Sequence, residues 1–396
     1  MTRILERYNA IDTDTHVTEP PDLWTSRIAS KWGDDIPHTR MIDGREVWIM
    51  GEESYVTPGF VSMAGFEGSF PEGPATFADI PEKAAWDAKA RLEHMDREHI
   101  RAQVIYPNVG GFGSGGFLKL GEPELMLDCV RAYNDFLTDW CSQEPSRLLP
   151  VTAIPFWDVA ASVEELQRCA GAGHRAVLMC GQPQDHGQPP LTEPSWDPLW
   201  AAAQEAGLSI SFHIGGGGGN DSLYVRPSLT QRTNLARSSG LIFVQNANSI
   251  ADIIFGGVCH RFPDLSFVSV ESGVGWLETV LEGFDWQFMN CQVRRDHPEL
   301  DLLPSEYFQR QIYGCFWFER RGIAHSLEKY ADNIMWETDY PHPTCQHPGL
   351  SSWARLPHEY ADEVLGDLPD STLRKVLHDN AAKVYGVSDS TANAST

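Results

Sequence analysis

Residues 9–16 read NAIDTDTH, a short run that ends in a carboxylate and an imidazole spaced two apart. On a strand this spacing turns Asp14 and His16 to one face, because side chains alternate with a period of two. Asp12 shares that parity and competes for the same role. Further strand-like runs follow at 100–106 (IRAQVIY), 149–155 (LPVTAIP), 175–179 (RAVLM), 208–213 (LSISFH), 265–270 (LSFVSV), 312–318 (IYGCFWF) and 334–339 (IMWETD). Between them lie stretches of helical period, including 122–143, 160–171, 195–206, 240–261, 272–291 and 321–330. Eight buried strands alternating with helices predict an α/β chain folded as a (β/α)8 TIM barrel.

Two segments interrupt the alternation. RMIDGREVWIMGEESYVTPG, at 40–59, carries a DG turn between β-rich stretches and predicts a small β-hairpin insertion. From 60 to 80 the chain is rich in Gly, Pro and Phe without a period, which predicts a long loop over one face of the barrel. The expected organisation is one barrel domain over 1–387, with 40–80 as an insertion, a helical C-terminal extension and a disordered polar tail, SDSTANAST, at 388–396.

The chain has 396 residues and a formal charge of −25, which argues against nucleic acid and anionic membrane surfaces as partners. Eight cysteines are spread singly, without a CxxC pair, and read as reduced thiols. The N-terminus has no apolar run before a small-residue cleavage site, and the expected compartment is the cytoplasm. Lysine is scarce, and none occurs between positions 120 and 328. Schiff-base and P-loop lysines are thereby excluded from the middle of the chain.

His213 closes SISFH and runs into IGGGGGN, and Asp339 sits where IMWETD meets YPHP. A barrel gathers the carboxyl ends of its strands on one face, where catalytic residues lie. Asp14, His16, His213 and Asp339 can therefore converge as two imidazoles and two carboxylates around one divalent cation. Each has a plainer reading alone: a DxH pair arises by chance, a lone histidine after an apolar run packs in the core, and Asp before Tyr-Pro forms turns. Their joint placement at separate strand ends is the stronger signal. The glycine run at 215–219 is not a GxGxxG phosphate loop, since no Rossmann unit surrounds it, and it reads as a loop at the site.

IDTDTHVTEPPDLW, SFHIGG, ESGVGW, WETDYPH and NAAKVYG together resemble the amidohydrolase-related branch that includes aminocarboxymuconate-semialdehyde decarboxylase and the resorcylate decarboxylases. The resemblance implies a TIM barrel with a mononuclear metal centre. By position it places the first-strand ligands on Asp14 and His16, the strand-five ligand on His213 and the strand-eight aspartate on Asp339. It also suggests a homodimer. Binuclear members of the wider superfamily bridge two metals with a carboxylated lysine on strand four, where this chain reads RAVLMCG, so one metal is expected rather than two. Where those decarboxylases resemble one another in a histidine after strand six, this chain has Glu271, which can act as a base, hold a metal-bound water, or serve as a helix N-terminal acid.

Between Ile214 and Ile250 stand Arg226, Arg232 and Arg237 against the single acid Asp221, a place where a substrate carboxylate could be held, or else surface and oligomer contacts. Trp24, Tyr106, Trp317 and His342 follow strand ends and could line an aromatic pocket or pack in the core. The leading expectation is a metal-dependent carboxy-lyase acting on a small aromatic or unsaturated carboxylic acid. In it Asp339 delivers a proton to carbon, with Glu271 and His342 assisting. The alternative enzyme is a hydrolase using a metal-activated water, and the alternative to any enzyme is a binding scaffold on the same barrel. The donor set suits Zn²⁺ first and also admits Mn²⁺ or Fe²⁺.

Overall fold

In the computed structural model the apolar runs become eight parallel strands, ordered sequentially around one sheet. Residues 3–68, 71–216, 226–347, 349 and 353–388 are described. The strands are β1 (Ile11–His16), β2 (Ala102–Tyr106), β3 (Leu148–Ala153), β4 (Ala176–Leu178), β5 (Ser209–His213), β6 (Phe267–Val270), β7 (Ile312–Phe316) and β8 (Ile334–Trp336). Every residue in them is buried, as expected of strands covered on both faces. The sheet closes just beyond β8, where Tyr340 bridges Thr15 and the Asp339 N–H donates to the Asp14 carbonyl at 2.9 Å.

Helices ring the barrel, among them α1 (Ala88–Glu98), α2 (Pro123–Cys141), α3 (Val159–Gly171), α4 (Asp197–Ala206), α5 (Gln231–Ile242), α6 (Asn246–Phe255), α7 (Leu277–Asn290) and α8 (Ile323–Lys329). One expected helix, 240–261, is instead three: α5, α6 and a short turn at Val258–Arg261. Gly256 and Gly257 separate the last two, Gly257 at φ 72°, a conformation that ends a helix. The helix expected from 272 begins at Leu277, because Glu271 and Gly273 both take positive φ in the turn that precedes it.

Two hydrophobic layers hold the molecule together. The larger lies between the strands and the surrounding helices, and the smaller fills the barrel interior. Ala381, Val384 and Tyr385 of the C-terminal helix Asn380–Tyr385 pack into the interior layer with Ile11, Ala102 and Ala176, residues at strand starts. The C-terminal extension therefore stoppers the amino-terminal end of the barrel and leaves chemistry to the opposite face. The insertion forms a three-stranded antiparallel sheet, His38–Ile42, Arg45–Met50 and Glu53–Ser54. All eight cysteines are free thiols, and no helix among the described residues is long and apolar enough to cross a membrane. Apart from Ser388, the expected tail lies outside the described residues.

Candidate metal centre and active site

The first strand supplies two of the converging side chains, and its backbone sorts them from a third. Asp12 pairs with Gln103 and Thr15 with Ile105, so β1 carries one extra residue between these points. This bulge breaks the alternation that would have kept Asp12 with Asp14 and His16. Asp12 instead accepts hydrogen bonds from Thr338 N (2.9 Å), Thr338 Oγ1 (2.6 Å) and Gln103 Nε2 (3.0 Å), tying β1 to its neighbours. Burial raises its pKa to about 7.

Asp14, His16, His213 and Asp339 meet above β1, β5 and β8, all fully buried. His16 Nε2 lies 3.3 Å from Asp14 Oδ1 and 3.6 Å from Asp339 Oδ1, and His213 Nε2 lies 3.6 Å from Asp14 Oδ1. The two imidazoles donate their Nδ1–H to backbone carbonyls, His16 to Pro107 at 3.0 Å and His213 to Ile214 at 2.8 Å. Their Nε2 lone pairs therefore face each other at 3.3 Å. Burial and the neighbouring His342 lower His16 to about 4, which keeps it neutral at physiological pH. Both oxygens of Asp14 are buried without a hydrogen-bond donor. Acceptor nitrogens and orphaned carboxylate oxygens turned on one point are unfavourable alone and are satisfied by a cation, so this donor set fits a divalent metal.

Arg91, on α1, fixes the first strand from behind. It donates to the carbonyls of His16 (2.6 Å) and Ala84 (2.7 Å) and stacks over Tyr340 at 4.6 Å. Such an arginine carries no sequence mark that separates it from a surface residue of an amphipathic helix. Phe112 stacks on His213 with ring centroids 4.0 Å apart. Gly216 makes this closeness possible, since a Cβ there would stand 2.0 Å from the Phe112 carbonyl.

On the other side, His342 stacks on His16 at 3.8 Å between centroids. Its Nδ1 lies 2.6 Å from Asp339 Oδ1 and its Nε2 2.6 Å from Asn108 Oδ1. The Asn108 amide is oriented by donation to the Val17 carbonyl at 2.8 Å, so His342 faces an acceptor at each nitrogen. Burial opposes its charging, but the Asp339 carboxylate wins and raises its pKa. Thr344 donates to the other oxygen of Asp339 at 2.7 Å.

Glu271 stands six residues before α7, too far to be a helix N-terminal acid, with Oε2 3.6 Å from His213 Nδ1. Burial, then Asp339, Asp14 and Glu337, raises its pKa well above the ordinary carboxylate range. Oxygens of Asp14, Glu271 and Asp339 all lie within 4.8 Å of one another. Glu271 and Asp339 both have φ values in the left-handed region, 53° and 58°, a strain typical of functional positions. Glu337, buried and also raised, accepts from the Glu271 N–H at 3.2 Å. It escaped the reading of the sequence, although Glu337 and Asp339 repeat the two-residue spacing of Asp14 and His16.

A cavity of about 200 Å³ opens over this cluster, lined by Phe60, Phe112, Ile242, Phe243, Glu271 and His342 among others. The remaining expected residues lie elsewhere. Trp24 is in the outer core, with Nε1 donating to the Cys129 carbonyl at 3.1 Å and its ring edge-on to Trp48. Tyr106 is in the barrel interior, 3.0 Å from Ser211 Oγ. Trp317 stands behind Phe243, with Nε1 3.2 Å from the Thr344 carbonyl. Arg232 is exposed and paired with Glu72 at 2.6 Å, and neither Arg226 nor Arg237 lines the cavity. Gly217–Gly219 of the glycine run lie outside the described residues.

The family model for amidohydrolases (Amidohydro_2) matches residues 11–387. The chain belongs to the amidohydrolase family. Among curated amidohydrolase relatives, it is 24% identical over 273 residues to 2-amino-3-carboxymuconate-6-semialdehyde decarboxylase of Dictyostelium discoideum, covering 65% of this chain and 67% of that one. It is 28% identical over 287 residues to gamma-resorcylate decarboxylase of Rhizobium sp. (strain MTP-10005), covering 66% and 79%. In fold it is similar to a dihydroxybenzoic acid decarboxylase of Polaromonas sp. JS666 solved with bound manganese and 2-nitroresorcinol, at a TM-score of 0.60, 15% identity and 96% and 97% coverage.

Proposed function

We propose that this amidohydrolase is a metal-dependent decarboxylase of a small aromatic or unsaturated carboxylic acid. The observation that carries the proposal is the convergence of four buried donors, with Asp14 lacking any hydrogen-bond donor, beneath an apolar cavity walled by Phe60, Phe112 and Phe243. The names of the relatives agree with it, since the two curated ones are decarboxylases of acids of this class.

Asp14, His16, His213 and Asp339 would hold one divalent cation, which supplies Lewis acidity toward the oxygens of a bound acid. Zn²⁺ suits the two imidazoles, while the two carboxylates and the manganese in the Polaromonas structure favour testing Mn²⁺ beside it. The aromatic walls take the ring or conjugated chain. His342 and Thr344 orient the Asp339 carboxylate from opposite sides. Asp339 delivers a proton to the carbon that loses its carboxylate, and Glu271, on the cavity wall and within 4.8 Å, resupplies it. Hydrolysis would use the same four ligands, with Glu271 or Asp339 taking a proton from water, so the released product separates the two reactions.

The test is a panel of carboxyl-labelled hydroxybenzoates and unsaturated acids given to Mn²⁺- or Zn²⁺-loaded protein. Labelled carbon dioxide is expected, falling at least about 1,000-fold in Asp339→Asn, of the order seen when a proton-transfer or charge-stabilising group is removed. Release of amine or alcohol from the corresponding amides or esters, without labelled carbon dioxide from the acids, would favour the hydrolase.

A further inference from the structure

The cavity over the metal centre borders both α5 and the insertion, through Ser239, Ile242, Phe60 and Val61. Beside it lies a chamber of about 540 Å³, lined by Arg45, Tyr55, Val56, Phe60, Arg232 and Leu235 among others. The two share the Phe60 wall. They also share one face of α5: Gln231 and Leu235 border the outer chamber, and Ser239 and Ile242 the inner cavity. Those positions are spaced by four, four and three, the spacing of a single helical stripe. From Gln231 to Ile242 the helix rises about 16 Å at about 1.5 Å per residue. Opposite α5, the insertion supplies the second wall through Tyr55, Val56 and Phe60. The outer chamber also has a polar border, the exposed Arg232–Glu72 pair at 2.6 Å, with Arg45 donating to the Glu72 carbonyl.

We infer that the substrate is an elongated acid, with its reacting ring or conjugated carboxylate in the inner cavity and an apolar extension lying along α5 in the outer chamber. This inference rests on the reading of the site as one for carboxylic acids. The inner cavity, at about 200 Å³, is smaller than the roughly 300–1,000 Å³ common for whole ligand sites, whereas the outer chamber is itself within that range. A single-ring acid would leave the larger space unused. Along the shared stripe the walls offer Leu235, Val56 and Phe60 to an apolar segment beside that polar border.

Binding, rather than turnover, separates this inference from the reaction. Isothermal titration of Mn²⁺-loaded protein with 2-hydroxybenzoate and its 4-butyl and 4-octyl derivatives is expected to show affinity rising about threefold per methylene placed in the chamber, a gain of at least about 100-fold from parent to octyl. In Leu235→Glu the octyl-to-parent ratio is expected to collapse toward one, with circular dichroism checking that the fold is kept. An octyl derivative that binds no tighter than the parent, including binding by neither, overturns the inference. So does an unchanged ratio in a folded Leu235→Glu. A steep ratio without carbon dioxide release leaves the elongated site standing and refutes decarboxylation, while carbon dioxide release with a flat ratio does the reverse.

Discussion

At Asp14, two buried carboxylate oxygens without a donor sit against two imidazole Nε2 atoms with no proton to give, because each ring carries its proton on Nδ1 and donates it in a hydrogen bond to the Pro107 or Ile214 carbonyl. Such a cluster is costly unless a cation completes it. His213→Ala removes one donor and opens space beside Phe112, and metal analysis after dialysis is expected to find the variant with less than about a tenth of the wild-type content. Equal content in the two proteins would remove His213 from the ligand set. The four residues were legible as a group because the spacing of Asp14 and His16 and the strand ends at His213 and Asp339 are marks in the sequence itself. Asp12 was equally marked, and only the bulge between it and Thr15 set it apart. Arg91, Asn108 and Phe112 were invisible, since what makes each matter is a contact across the fold rather than a local pattern.

The elements were read well where periodicity is strong and poorly where glycine intervenes. All eight strands stand where apolar runs predict them, whereas 240–261 breaks at Gly256–Gly257. Trp24 shows why an aromatic near a strand end is ambiguous: the chain turns into Leu23–Arg27 and lays the indole between α2 and the inserted sheet. Trp24→Ala is therefore expected to cost about 3–5 kcal/mol of stability, measured by denaturant unfolding, while KM stays within about twofold. A large rise in KM without loss of stability would return Trp24 to the substrate site.

His174 couples two elements in the same way. Its ring nitrogens lie 3.0 Å from Thr152 Oγ1 on β3 and 3.0 Å from Thr138 Oγ1 on α2. Burial, with Arg168 nearby, lowers its pKa from 6.5 to about 4. Because the folded value is depressed, the neutral ring's contribution is full above pH 6.5 and is lost as pH falls toward 4. The loss is on the order of 3 kcal/mol. In urea unfolding from pH 7 to 4, His174→Gln is expected to lose less stability than wild type by about that amount. Parallel curves would contradict it.

For the whole molecule, architecture follows from closure and from stoppering. The C-terminal helix seals the amino-terminal end of the barrel, so buried polar groups gather at the other end, where the inserted sheet and α5 build walls above them. The insertion was visible from its DG turn, but its role as a cavity wall was not, because the residues that face it lie about 180 positions away on α5. The scarcity of lysine bears on the same scale. On β4 the chain presents Ala176–Leu178, with no lysine to be carboxylated into a bridge between two metals.

One metal per chain, held by Asp14, His16, His213 and Asp339, is the claim on which the proposed chemistry stands. Inductively coupled plasma mass spectrometry of protein loaded with Mn²⁺ and dialysed tests it most directly. The account predicts about one ion per chain, lost in His213→Ala, and a stoichiometry near zero or near two would contradict it.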